Sequence, residues 1–252
     1  TEPKFPKIID IDLSGTAREL LMKADDTQDL DKYFTYTTKA IELAKGDPAM
    51  TLAGKAAMIN LYCHLTMEKQ ADSVYKEIEP LYKNTNDPYI NYRFYYAQAD
   101  VYYIRKDYEK SLTSLQKALT ASQNLPKLSY RQNMSSSIAR VYTLLDRTQD
   151  AIDFYRKAIS ATPEGSNLEE KAGFYSALGN LYHASYKYKE SLEAHQKALT
   201  LWETLNNKMG VASENYWVAQ RLDMLDKYEE STLHYQKRSE ERRVGKECRS
   251  RW

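Results

Sequence analysis

Apolar residues along this chain recur at three- and four-residue steps, as in Leu178, Leu181 and Tyr182 and again in Leu192, His195 and Leu199. That spacing lines one face of an α-helix, whereas a half-buried strand alternates every second residue. The pattern itself repeats. The phrase Gln116-Lys117-Ala118-Leu119 returns as Arg156-Lys157-Ala158-Ile159 and as Gln196-Lys197-Ala198-Leu199, at intervals of forty residues. Ile78 and Ala40 hold the same column upstream, and Thr38-Lys39-Ala40-Ile41 keeps the phrase.

With that anchor fixed, other columns fall into register. Ile59, Ala99, Ala139, Gly179 and Ala219 form one that is mostly small, and Ala71, Ser111, Ala151, Ser191 and Ser231 form a second; Tyr62, Tyr102, Tyr142 and Tyr182 supply rings beside them. Two helices approach closely only where the side chains between them are small, and the large neighbours fill the volume at the flanks. Gly179 and Ala198 are therefore read as packing positions within one helix pair. His195 shares a column with Tyr75, Leu115, Tyr155 and Tyr235 and is read as a core histidine. The pattern predicts about six antiparallel helix pairs over residues 14–237, with turns inside the pairs near 66, 106, 146, 186 and 226, and each pair touching only its neighbours. Pro48, Pro88, Pro126 and Pro163 are expected where a helix stops, and Pro80 should end or kink a second helix. Residues 1–13, with Pro3 and Pro6, read as an extended entry segment.

These columns resemble the tetratricopeptide repeat (TPR). The best unit has Tyr175, Leu178, Gly179, Tyr182, Tyr188, Ser191, His195 and Ala198; the preceding one has Ile138, Ala139, Tyr142, Ala151, Tyr155, Ala158 and Pro163. The likeness is good over residues 50–237 and weak over 14–45. It implies an all-α fold, a right-handed superhelical solenoid of antiparallel helix pairs. The common period of this family is about 34 residues, so forty places the chain with its longer members.

Composition adds two points. The chain is 42% hydrophobic and 28% charged with only 8 Gly and 7 Pro, too apolar for disorder and too poor in breakers for many short strands. Tyrosine is in excess, at 22 residues, and suits helices that close a core with rings whose hydroxyls still reach water. No apolar run reaches the ~20 residues of a membrane helix. Thr1 stands where a Met would open a gene, so the chain reads as a piece or a processed form; the compartment, cytoplasmic or periplasmic, stays open.

The last unit follows the pattern through Tyr228, Ser231, Tyr235, Gln236 and Lys237, where the phrase then requires Ala and the chain has Arg238. Residues 238–252 show no apolar periodicity and resemble the translation of a sequencing adapter, so they are read as a non-native tail; a basic tail that binds nucleic acid or membrane is the alternative. Without them Lys+Arg falls from 36 to 30 and Asp+Glu from 35 to 32, leaving a net charge of −2 with no polycation for nucleic acid. Cys63 is then the one native thiol.

No glycine spacing cradles a phosphate, and the four histidines are scattered along the repeats without metal-ligand spacing, so neither cofactor nor metal nor catalytic group is expected. Asp10 and Asp12 read as part of the solvated entry segment, and Glu169-Glu170 and Glu229-Glu230 as helix-start carboxylates favoured by the helix dipole. A different column carries function. Asn60, Asp100, Arg140, Asn180 and Gln220 recur at forty-residue steps, one residue after the small column. By the TPR resemblance this position faces the concave side, and a ladder of hydrogen-bonding groups there suits an extended peptide. Flanking positions on the same face include Arg93, Tyr96, Tyr103, Asn133, Ser136, Thr143, Ser176, His183, Tyr216 and Asp223. The expected function is non-catalytic binding of a protein or peptide partner; the alternative is the sensory or regulatory region of a bacterial histidine kinase or helix-turn-helix regulator. Asp100 and Arg140 are also placed to pair with each other.

Overall fold

The computed structural model describes residues 5–162 and 165–249, with side chains described as far as Glu240. Pro163 and the end of the tail lie outside the described residues. Among those described the fold is all-α, with helices α1 (Ala17–Asp25), α2 (Leu30–Leu43), α3 (Pro48–His64), α4 (Glu68–Ile78), α5 (Pro88–Ile104), α6 (Tyr108–Ser122), α7 (Leu128–Leu144), α8 (Thr148–Ala161), α9 (Leu168–Ala184), α10 (Tyr188–Thr204), α11 (Lys208–Met224) and α12 (Tyr228–Arg249). A 3-10 turn over Glu79–Leu81 contains Pro80 and ends α4, as expected. The chain divides into two compact units, residues 1–141 and 142–252. Helix α12 runs on through Arg238 to Arg249.

The turns fall where the period puts them. Thr66, Lys106, Asp146, Tyr186 and Asp226, forty residues apart, all take a positive φ between 56° and 61°. Each closes a helix in the same way. The amide of Thr66 donates to the Cys63 carbonyl at 3.1 Å and that of Met67 to the Tyr62 carbonyl at 2.8 Å. The ring-column residues Tyr102, Tyr142, Tyr182 and Leu222 accept the second bond in the other turns. This pair of bonds satisfies carbonyls that a helix end leaves free, at the cost of a left-handed residue. Thr66 is β-branched, exposed and ill suited to that conformation. Thr66→Gly is expected to raise stability by about 0.5–1 kcal/mol, because the left-handed cost of ~1–2 kcal/mol exceeds the freedom glycine adds to the unfolded chain. Urea denaturation of the two proteins measures it.

Pro48 and Pro88 lie at joints between helix pairs, and there they begin α3 and α5. Asp47 and Asp87 cap these helices, accepting from the amides of Met50 and Tyr89, and proline fits the first helical position because its missing N–H needs no partner there.

Both small columns are buried throughout, from Ala71 and Ile59 at 0% exposure to Ala139 at 7%. Ser111 and Ser191 donate to the carbonyls of Ala99 and Gly179, at 2.9 and 2.7 Å, so these small residues also tie the two helices of a pair together.

One feature of the first unit departs from a chain of nearest neighbours. Helix α1 reaches past α3 to α5 and to the start of α7. Asp25 pairs with Arg93 and accepts from the Tyr130 hydroxyl at 2.9 Å; Arg18 pairs with Asp87; Lys127 meets Asp26 at 2.6 Å. No periodicity relates residue 25 to residues 93 and 130.

Candidate functional site

In the first unit the seated α1 helps to enclose a cavity of about 430 Å³, within the size range of small-ligand sites. Its wall is made by Asp25 and Gln28 beside the α1–α2 turn, Tyr33 on α2, Asn60 and His64 on α3, Tyr92, Arg93 and Tyr96 on α5, and Tyr130 and Asn133 on α7. Four residues anticipated as groove ligands, Asn60, Arg93, Tyr96 and Asn133, thus share one cavity.

Their roles in it differ. Arg93 is 1% exposed and its guanidinium is occupied by Asp25, the Tyr89 hydroxyl and the Leu21 carbonyl, so it holds α1 in place. Asn60 is 9% exposed and donates through Nδ2 to Asp100 at 2.8 Å, while its Oδ1 meets no donor among the described residues. Arg140 is exposed and lies over the Tyr103 ring at 4.8 Å; among the described residues it makes no ion pair, so the pairing with Asp100 considered above does not form. Burial drives the phenol of Tyr33 up to about 12, a sign of how poorly the cavity wall is solvated.

Asp100 is half-buried, and burial lifts its carboxyl to about 6, against the Asn60 hydrogen bond and the positive field of Arg140, which pull it down. A folded-state value above the unfolded one means the native protein holds this proton longer. Its contribution to stability therefore grows as pH falls from about 6 toward 4 and is unfavourable above 6. Asp100→Asn is expected to abolish that slope and to stabilise the protein above pH 7 by about 1–2 kcal/mol, after discounting for partial exposure. Denaturation of variant and parent across pH 4–8 tests the sign.

The second unit holds Asn180, His183 and Gln220. Asn180 is exposed; Gln220 donates to the Tyr216 hydroxyl at 2.7 Å; His183 is half-buried, and burial followed by Arg221 and His195 lowers its pKa. Beside them lies a buried polar cluster that the periodicity does not predict. His195 shares a hydrogen bond with Glu214 at 2.8 Å and stacks on Trp217; Glu214 accepts from Ser176; Arg221, 1% exposed, donates to Ser191 at 3.0 Å. Burial holds Arg221 below the usual guanidinium range. A carboxylate on a histidine Nδ1 is the arrangement that orients a catalytic base. Here the ring is fully buried, and its Nε2 faces Gly179, where an added Cβ would lie 2.6 Å away. The pair is enclosed in the packing of α9, α10 and α11. The sequence did carry a signal for it: Glu214 and Arg221 interrupt columns that elsewhere read Gly54, Phe94, Met134, Phe174 and Leu61, Val101, Val141, Leu181.

Family profiles described as tetratricopeptide repeat match residues 93–164 and 172–208. The chain carries TPR units. Solved structures similar to this TPR chain include BtubC (BKLC) from P. vanneervenii, 16% identical with a TM-score of 0.64 over 92% of this chain and 93% of that one. The apo form of RapI is 15% identical, with a TM-score of 0.72 over 91% of this chain and 65% of RapI. The quorum sensor NprR from B. thuringiensis is 19% identical, with a TM-score of 0.59 over 89% of this chain and 62% of NprR. At these identities the likeness is one of fold. No curated protein matches the chain significantly. Among the described residues no group of His, Cys, Asp and Glu could hold a metal, and no helix is long and apolar enough to cross a membrane.

Proposed function

We propose that this TPR chain is a non-catalytic binding module that takes a peptide segment of a protein partner along the α3, α5 and α7 face of its first unit. The observation that supports this most is the cavity itself, open between helices and lined by Asn60, Tyr96 and Asn133, with the buried Asn60 Oδ1 meeting no donor among the described residues. A sensory role in a longer signalling protein is the second reading, favoured by the fold shared with the quorum sensor NprR, of which the chain spans 62%. Arg140 is the groove residue best suited to meet an acidic side chain, since a guanidinium holds a carboxylate through two parallel hydrogen bonds. The test is a peptide-array screen of the full chain against Arg140→Ala, Asn133→Ala and Asn180→Ala, with melting curves as control. Loss of bound peptides by about 10-fold in Arg140→Ala or Asn133→Ala, with unchanged melting, supports the reading; retention of every peptide by all three variants sinks it.

A further inference from the structure

The chemistry of the cavity narrows what it accepts, and the inference rests on the peptide-binding reading above. Asn60 is fixed in orientation by its partner. A carboxylate only accepts hydrogen bonds, so the amide nitrogen must face Asp100, and the carbonyl oxygen is left as the free group. Among the described residues that oxygen is buried and meets no donor, in a side chain that lines the cavity. A buried acceptor with no donor is costly, and a ligand that supplies the donor recovers the loss.

The charges decide which donor. Asp25 and Arg93 neutralise each other. Asp100 forms no ion pair among the described residues, and the cation whose field reaches it, Arg140, rests on the Tyr103 ring. Asp100 draws on the Asn60 amide at 2.8 Å and so polarises its carbonyl. The rings of Tyr33, Tyr92, Tyr96 and Tyr130 make up much of the remaining wall, and ring faces attract cations. A hard metal ion would need six or more oxygen ligands, which one amide and a carboxylate behind it do not provide.

We infer that this cavity is a subsite for an organic cation, the ammonium or guanidinium of a basic side chain in the bound peptide, which donates to Asn60 Oδ1 between tyrosine rings with Asp100 as its counter-charge. The experiment uses the full chain, with tyrosine ring resonances followed by NMR. The probes are the N-acetyl methylamides of arginine and lysine, their neutral counterparts from citrulline and norleucine, and spermidine as a free polyamine. The variants are Asn60→Leu, which removes the acceptor, and Asp100→Asn, which keeps the shape and removes the charge. Binding of the basic amides at least tenfold tighter than the neutral ones, with a loss of tenfold or more in each folded variant, is the expected result. Equal binding of neutral and basic amides overturns it, as does undiminished binding in Asp100→Asn or no binding at all.

A random peptide library then separates this inference from the reading beneath it. Selection of peptides with a fixed Arg or Lys supports both. Selection without a basic preference keeps the peptide reading and overturns the cation subsite. Binding of spermidine and the basic amides with no peptide selected keeps the cation subsite and overturns the peptide reading.

Discussion

Asp25→Ala is expected to destabilise the first unit by about 3–5 kcal/mol, far more than the loss of a surface ion pair. Arg93 is 1% exposed, and removal of its carboxylate leaves a guanidinium that cannot give up its charge inside the protein. The Tyr130 hydroxyl loses its acceptor in the same step. The effect should be local at first, with amide exchange of α1 accelerating before that of α5. A control separates the charge from the packing. The double variant Asp25→Leu with Arg93→Met replaces the pair by apolar groups of similar size and should recover most of the loss, since well-packed hydrophobic residues often match a buried ion pair. Urea denaturation of the single and double variants gives the coupling directly. Additive losses would show that the pair does not hold α1.

Gly179→Leu carries the other large expected effect. An added Cβ at Gly179 would lie 2.6–2.9 Å from three atoms of the His195 ring, and that ring is fully buried. It has little freedom to yield, being bonded to Glu214 and stacked on Trp217. Overpacking costs about 1–3 kcal/mol and a displaced buried hydrogen bond about 1–3 more, so Gly179→Leu should lose roughly 3–5 kcal/mol. The better helix propensity of Leu returns less than about 1 kcal/mol. Gly179→Ala should lose less, and should lose least in a His195→Ser background, where the obstructing ring is gone. Thermal and urea unfolding of the three proteins check the order. A Gly179→Leu protein as stable as its parent would mean the two helices are not in contact there.

The sequence made these features legible to different degrees, for physical reasons. The turns at Thr66, Lys106, Asp146, Tyr186 and Asp226 were readable to the residue, because a helix end is set by local bonds that the period copies from unit to unit. The same holds for Ser191, which every unit matches with another small residue, and for Gly179, whose column departs from small residues only at Ile59. Arg93 shows where that logic stops. On its column it reads as a groove ligand, yet its partner is Asp25, in the stretch that repeats least, and no spacing rule connects the two. Tyr33 and Tyr130 joined the cavity unseen for a similar reason, since packing gave a sufficient account of each tyrosine taken singly. The cluster of Glu214, His195 and Arg221 lay between these cases. Three polar residues in the positions of apolar ones within adjacent helices is a pattern that points to contact, because each alone would be expensive to bury.

The clasp formed by Asp25, Arg93 and Tyr130 also changes how the first unit bears load. A row of helix pairs joined only to its neighbours behaves as a soft spring, stretching by small slips spread over many interfaces and losing its end pair first. Here α1 is buckled back across a contact of 105 residues in sequence. Tension applied between residues 17 and 141 therefore falls on the buckle before any neighbouring interface feels it, and the unit should resist extension and then open in one abrupt step. A partner that pulls on this end meets a latch.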